Sequence, residues 1–270
     1  MTDHGGAHGH DDHHGHGDQH GGTDSAGTPW AGRSFEPNAS AADDGSAPER
    51  LVEALRRFSS HELGESDVVD ALRESRLLIP LVAHLGEAGV NEHGVVIDKS
   101  QELSIITVAG PDGRNVLPVF TSVTAMGHWN PKARPVPATA VRVALAAASE
   151  QTELVVLDPT SPTEFVIRRP ALWAIAQSLP WTPSFLDEEV LEAFADAAAD
   201  EPAVRSVALA PGDPASRLAG PELVVQLALV DGLSKDELDA AVSRMQQKWL
   251  ASEVISTRVD SMRVQLVSAS

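Results

Sequence analysis

Neither cysteine nor tyrosine occurs among these 270 residues. The first absence excludes disulfides, thiolate zinc or iron–sulfur ligation and thiol nucleophiles; the second removes one kind of general acid. Apolar runs are short: none approaches the roughly 20 residues needed to cross a bilayer. No apolar stretch follows an N-terminal basic cluster, so no secretory signal is expected. Positive charge is scarce, with 20 Lys and Arg against 39 Asp and Glu and a net charge of -19. Such a surface repels phosphate backbones and anionic headgroups, so neither a nucleic-acid nor a membrane partner is expected. The same charge favours solubility, and a chain without cysteine fits a cytoplasmic location. Reactive signatures are missing as well: there is no G-x-S-x-G, P-loop, G-x-G-x-x-G or EF-hand loop. "HELGE" and "NEHGV" both miss the HExxH zinc spacing. No catalytic residue is therefore assigned, and a non-enzymatic role is expected.

What is present divides into four stretches. Residues 1–46 hold almost no large apolar side chains, so burial there cannot offset the entropy lost on ordering, and a disordered His/Gly/Asp-rich leader is expected. One island, "PWAGRSF" at 29–35, carries Trp30 and Phe35, which dock on the folded body or on a partner. Residues 47–180 alternate helical and strand patterns. Residues 181–201 read as an acidic linker helix, with seven carboxylates from Asp187 to Glu201 and no basic residue. Residues 202–270 read as a small β-β-α-β sandwich. A unit of about 70 residues is marginal alone, so packing on the main body or pairing with a second copy, a homodimer, is expected.

Within the body, Ser46 with Glu49 has capping-box spacing, and Leu51, Leu55 and Phe58 follow at helical spacing. A short helix starts near Ser66. "RLLIPLVA", "VVID", "LSIITVAG" and "NVLPVF" then suggest a meander of strands, turned at Gly110-Pro111-Asp112-Gly113. Thr121 is the expected cap of a helix that Asn130-Pro131 ends. "ATAVRVALAAASE" is a helix by propensity, "TELVVLDP" and "EFVIRR" are strands, and "PALWAIAQSL" is a helix opened by proline. In the tail, Leu223, Val225, Leu227 and Leu229 share one strand face. Ser234 with Glu237 caps a helix whose Leu238, Val242, Met245 and Trp249 form one stripe. Met262, Val264 and Leu266 alternate inward on the last strand. The fold class is α+β.

"VLPVFTSVTAMGHWNP", from Val116 to Pro131, resembles the motif region of the SseB N-terminal-domain family. The order around it agrees: a two-helix lead-in, "LLIPLV", and later "ELVVLDPTSPTEFVIRRPALWAI". The "PWAGR" island and "ELVVQLALVDGLSKDELDA" resemble the actinobacterial branch. The resemblance implies a mixed-sheet SseB-like N-terminal domain in a cytoplasmic binding or regulatory protein of unknown protein partner. It carries over no catalytic residues, and the histidine-rich leader is a departure from the family.

Two sets of candidate binding residues stand out. His4, His8, His10, His13, His14, His16 and His20 place seven imidazoles within seventeen residues, with Asp11, Asp12 and Asp18 among them. Neutral imidazole is the commonest metal ligand at neutral pH, and nitrogen and oxygen donors suit Ni, Cu(II) or Zn. Glycine-spaced ligands have no fixed geometry, so binding would be loose and no cofactor is required. In the body, Thr121, Ser122, His128 and Trp129 sit where a strand enters a helix, a usual place to bind an anion or partner. The plain alternative is that Phe120, Val123, Met126 and Trp129 are core and the hydroxyls are caps. His61, His84 and His93 read as surface or loop histidines.

Overall fold

The computed structural model of the chain describes residues 43–85 and 101–268. The leader histidines, the 29–35 island, His93 and the expected strand at 95–98 lie outside those residues. From Asp43 onward the chain forms one compact unit.

Two helices open it, α1 (Glu49–Ser59) and α2 (Glu65–Arg73). Pro48, not Ser46, stands at the α1 cap. It has no N–H to leave unpaired and its φ of -63° suits the entry; the Ser46 N–H is held by Asp44 at 2.8 Å instead. Helix α2 starts at Gly64, whose N–H donates to the Asp67 carboxylate at 2.9 Å. Leu51, Ala54 and Leu55 of α1 meet Val68, Val69 and Leu72 of α2 in the main core.

Strand β1 (Arg76–Leu85) lies between β2 (Gln101–Ile105) and β5 (Arg134–Thr139), antiparallel to both. A second sheet has β3 (Val108–Ala109), β4 (Asn115–Val119), β6 (Val155–Leu157) and β7 (Phe165–Ile167), in that order. The expected meander is thus divided between two sheets, joined by a bridge between Leu78 and Phe120. Strand β5, "RPVPAT", was not legible because its two prolines argue against a strand; it is tolerated at a sheet edge, where a missing N–H breaks no second ladder. Strand β4 pairs parallel with β6. The crossover between them carries α3 (Val123–Trp129) and α4 (Ala140–Ser149). Helix α4 buries Ala140, Val143, Ala144 and Ala147, and these small side chains let α5 (Arg169–Ala176) approach closely.

The rest of the chain builds its own core. A 3-10 turn (Ser184–Leu186) leads into α6 (Glu188–Ala199), which keeps its carboxylates outward and buries Val190, Phe194, Ala197 and Ala198. Strand β9 (Leu223–Leu229) lies between antiparallel β8 (Val204–Pro211) and parallel β10 (Met262–Ser268). Helices α7 (Lys235–Ala251) and α8 (Glu253–Arg258) make the crossover from β9 to β10. The Ser234–Glu237 capping box forms as expected. The buried α7 face runs through Ala241, Met245 and Trp249, with Leu238 and Val242 only half-buried at its margin. Leu223, Val225 and Leu227 are buried on β9, but Met262 and Leu266 on β10 are exposed. Of the three residues expected inward on β10, only Val264 packs against the C-terminal core.

Mixed sheets with helices packed on them make this an α+β fold. Among the described residues no helix is long and apolar enough to cross a membrane. In the C-terminal core Phe194 meets Trp249 edge-on at 5.4 Å. Phe194→Ala is expected to lower stability by about 3–5 kcal/mol through the cavity it leaves, measured by urea unfolding of the full chain. A loss below about 1 kcal/mol would show that the site collapses around the deletion.

Candidate functional site

The strand-to-helix turn after β4 spends its hydroxyls internally. Thr121 is buried; its N–H and Oγ1 both donate to the Asp158 carboxylate, each at 2.8 Å. Ser122, rather than the expected Thr121, caps α3, its Oγ accepting from the Ala125 N–H at 3.1 Å. Asp158 also accepts from Thr163 Oγ1 at 3.0 Å, so it ties the end of β4 to the β6–β7 turn. Burial pushes the Asp158 carboxyl above its usual range, although the three hydrogen bonds oppose that rise. Trp129 packs on Phe120 at 5.2 Å, with Met126 and Leu78 beneath. His128 is exposed on α3, and Val123 is exposed rather than core. The turn therefore gathers Thr121 with Asp158 and Trp129 with Phe120, and leaves His128 facing away from both.

A buried charge network lies where α5 meets the C-terminal sheet. Arg168, the residue before α5, donates to Asp213 at 2.7 Å and to Asp260 at 3.0 Å, and also to the Gly220 carbonyl at 2.9 Å. Arg114 grips Asp260 from the other side through both terminal nitrogens, at 2.9 and 3.0 Å. Burial raises the Asp260 carboxyl, but the two guanidiniums outweigh it and hold it below the usual range. Glu222 accepts the Asp260 N–H at 2.5 Å, and burial keeps its carboxyl above the usual value. Glu65, bonded to Ser216 Oγ at 3.0 Å, is pushed up to about 7 by burial and by the neighbouring Glu222 and Asp213 charges, against Ser216 and Arg168. Sequence showed only that Arg168 and Arg169 are adjacent; their carboxylate partners lie 45 and 92 residues away for Arg168. The enclosure of the Arg168, Asp213 and Asp260 side chains makes this network a cross-link between chain segments.

A half-exposed apolar surface lies around α5. Ala171, Leu172 and Ile175 form the helix's buried stripe, and Trp173 falls outside it, 44% exposed. Leu145 on α4 is 57% exposed and Leu179, after α5, is 51% exposed. Trp173 forms a shared wall of two hollows. One, of about 410 Å³, is lined by α4 residues including Leu145 and by Gln151 and Glu153. The other, of about 460 Å³, is lined by Leu179, Pro180, Trp181, Asp187 and Arg258. The Arg169 guanidinium lies over the indole, 5.1 Å from the ring centroid. Arg169 in turn donates to the carbonyls of Ser256 at 3.0 Å and Val259 at 2.6 Å. A large, half-exposed aromatic thus stands between two hollows lined by apolar and polar side chains alike. The sequence carried a trace of this: in "PALWAIAQSL" the tryptophan is off the helix's own apolar stripe.

The family model of the SseB protein N-terminal domain matches residues 51–174. No curated protein matches the chain, and no solved structure does.

Glu65 provides a pH test. Its folded pKa lies above the unfolded carboxyl value, so folding retains a proton that the unfolded chain releases. The associated stability is full below the unfolded value of 4.5 and is lost as pH rises through about 7. Glu65→Gln should flatten that decline, leaving the variant more stable than the parent at pH 8 by on the order of 1–3 kcal/mol and nearly equal near pH 4.5. Urea unfolding at the two pH values checks it. Parallel pH dependences of parent and variant would rule out Glu65 as the source.

Proposed function

We propose that this chain, which carries an SseB protein N-terminal domain over residues 51–174, is a non-enzymatic binding and regulatory protein that acts through a protein partner. The observation that carries this reading is the anchored Trp173 between its two hollows, flanked by exposed Leu145 and Leu179. Leaving a tryptophan and two leucines half in water forgoes on the order of 1 kcal/mol for each side chain, about half the value of full burial, an arrangement that is stabilised when another surface covers them. Much of this face lies on α4 and α5, within the matched domain. The polar groups on its rim, Gln151, Glu153 and Arg258, suit a partner segment that places an apolar side chain in each hollow. With a net charge of -19, the favoured partner is a protein rather than a nucleic acid or an anionic membrane. The cytoplasm is the location we assign to it.

Affinity capture from native lysate tests the reading, with parent, Trp173→Ala and Leu145→Asp chains as baits. A partner should be held stoichiometrically by the parent and reduced tenfold or more by either change, since hot-spot truncations cost about 2 kcal/mol or more. The same protein retained equally on all three baits, or turnover of metabolites by the purified chain, would reject it.

A second reading concerns the leader and rests on its seven histidines. It is a loose reservoir for Ni, Zn or Cu(II), held by imidazole with aspartate oxygens nearby. Calorimetric titration of the full chain should give multiple weak events at pH 7.5. A variant with all seven histidines changed to Gln should abolish them, and acidification to pH 5 should suppress them as imidazole protonates. Equal heats in parent and variant would remove the metal reading.

A further inference from the structure

The three-stranded C-terminal sheet has two edges, and they are built differently. At β8 the edge is irregular, with a register shift between Val204 and Ser206 and a terminal proline, Pro211. These are the usual devices that keep an edge from pairing. At β10 there is neither bulge nor proline, and among the described residues no strand pairs with its outer side.

The register determines what that edge presents. The Leu223 N–H donates to the Ser261 carbonyl at 3.0 Å, and Leu223 is the register partner of Met262. In a parallel ladder a residue bonds to the two neighbours of its partner. Hence Ser261, Arg263 and Gln265 direct their backbone groups at β9, and Met262, Val264 and Leu266 direct theirs outward. The side chains of those same three residues lie on the face of Leu223, Val225 and Leu227. The apolar rows across the sheet therefore end at Met262, 36% exposed, and Leu266, 44% exposed, beside fully buried Leu223 and Leu227.

We propose that β10 is a self-association edge, at which a second copy of this chain adds its own β10 antiparallel about a two-fold axis at Val264. In that pairing Met262 faces Leu266 of the second copy, Val264 faces itself, and each facing pair exchanges two outward backbone bonds. The two three-stranded sheets become one continuous sheet with a continuous apolar face. The row is self-complementary, which favours a second copy as the occupant. Copies of a chain with a net charge of -19 repel at long range, but β10 itself carries no carboxylate. Its one charge, Arg263, faces Gln265 of the second copy, so no like charges oppose. This inference stands on the C-terminal sheet and is independent of Trp173.

Sedimentation equilibrium of the full chain over a wide concentration range tests it. The expected mass is twice 28.5 kDa, and the dimer should strengthen with added salt, which screens repulsion between acidic copies. Val264→Pro deletes an N–H that points away from β9, so it should give a monomer that keeps the parent's far-UV circular dichroism and unfolds cooperatively, without the parent's concentration dependence. If that variant unfolds, Leu266→Lys decides, because it alters only an exposed side chain and places a charge in the apolar row. A parent that stays monomeric at low and high salt overturns the proposal, as does a dimer that persists undiminished in the folded variants.

Discussion

A guanidinium with only 7% of its side chain exposed is stable in its charged form only where acceptors surround it. Arg168 finds them in Asp213, Asp260 and the Gly220 carbonyl. None belongs to the segment that carries Arg168, so the charge forces three stretches of chain into one place. The start of α5, the β8–β9 connection and the approach to β10 are pinned together there. Arg114 adds a second clamp on Asp260, and Glu222 holds the Asp260 N–H. Removing Arg168 would take from buried Asp213 the guanidinium that neutralises it, the costly half of a buried ion pair, while Asp260 would keep Arg114.

The rest of the architecture follows from that join. Because the chain is fixed at Arg168, the cap of α5, Arg169 is placed to reach the carbonyls of Ser256 and Val259 and to stack on Trp173. The exposed indole is thereby oriented by the C-terminal part of the chain, although it belongs to the domain before it. The same join sets the start of β10 through Asp260 and Ser261, and thus which residues of β10 turn their backbone groups outward. The exposed Trp173 and the start of β10 both adjoin that one buried network. Its carboxyls do not titrate together: Asp260 is held down by two guanidiniums, while Glu65 and Glu222 are raised by burial.

Particular residues show where sequence reading succeeds. The Ser234–Glu237 box, the Val123–Trp129 helix and the buried face of β9 were legible because each depends on neighbours within a turn or two, or on simple alternation. Ser46 and Thr121 were misjudged as caps for a shared reason. Spacing alone does not settle a cap: Pro48 takes the cap position at α1, and the Thr121 hydroxyl is spent on Asp158. Strand β5 was missed because its prolines argue against a strand, and Arg168 because nothing local distinguishes a buried arginine from a surface one.

The sequence by itself determined that this chain is acidic, lacks thiols and phenols, carries a histidine-rich leader, and folds as α+β with an SseB-type N-terminal domain. Those properties are sums over composition, or patterns repeated every two to four residues, and they survive without knowledge of distant contacts. Only the tertiary structure decided that Asp213 and Asp260 neutralise Arg168, that Trp173 stays outside the core, and that the apolar row of β10 ends in water. Each depends on which surfaces meet across tens of residues, and burial there is set by what happens to cover a side chain rather than by the side chain itself.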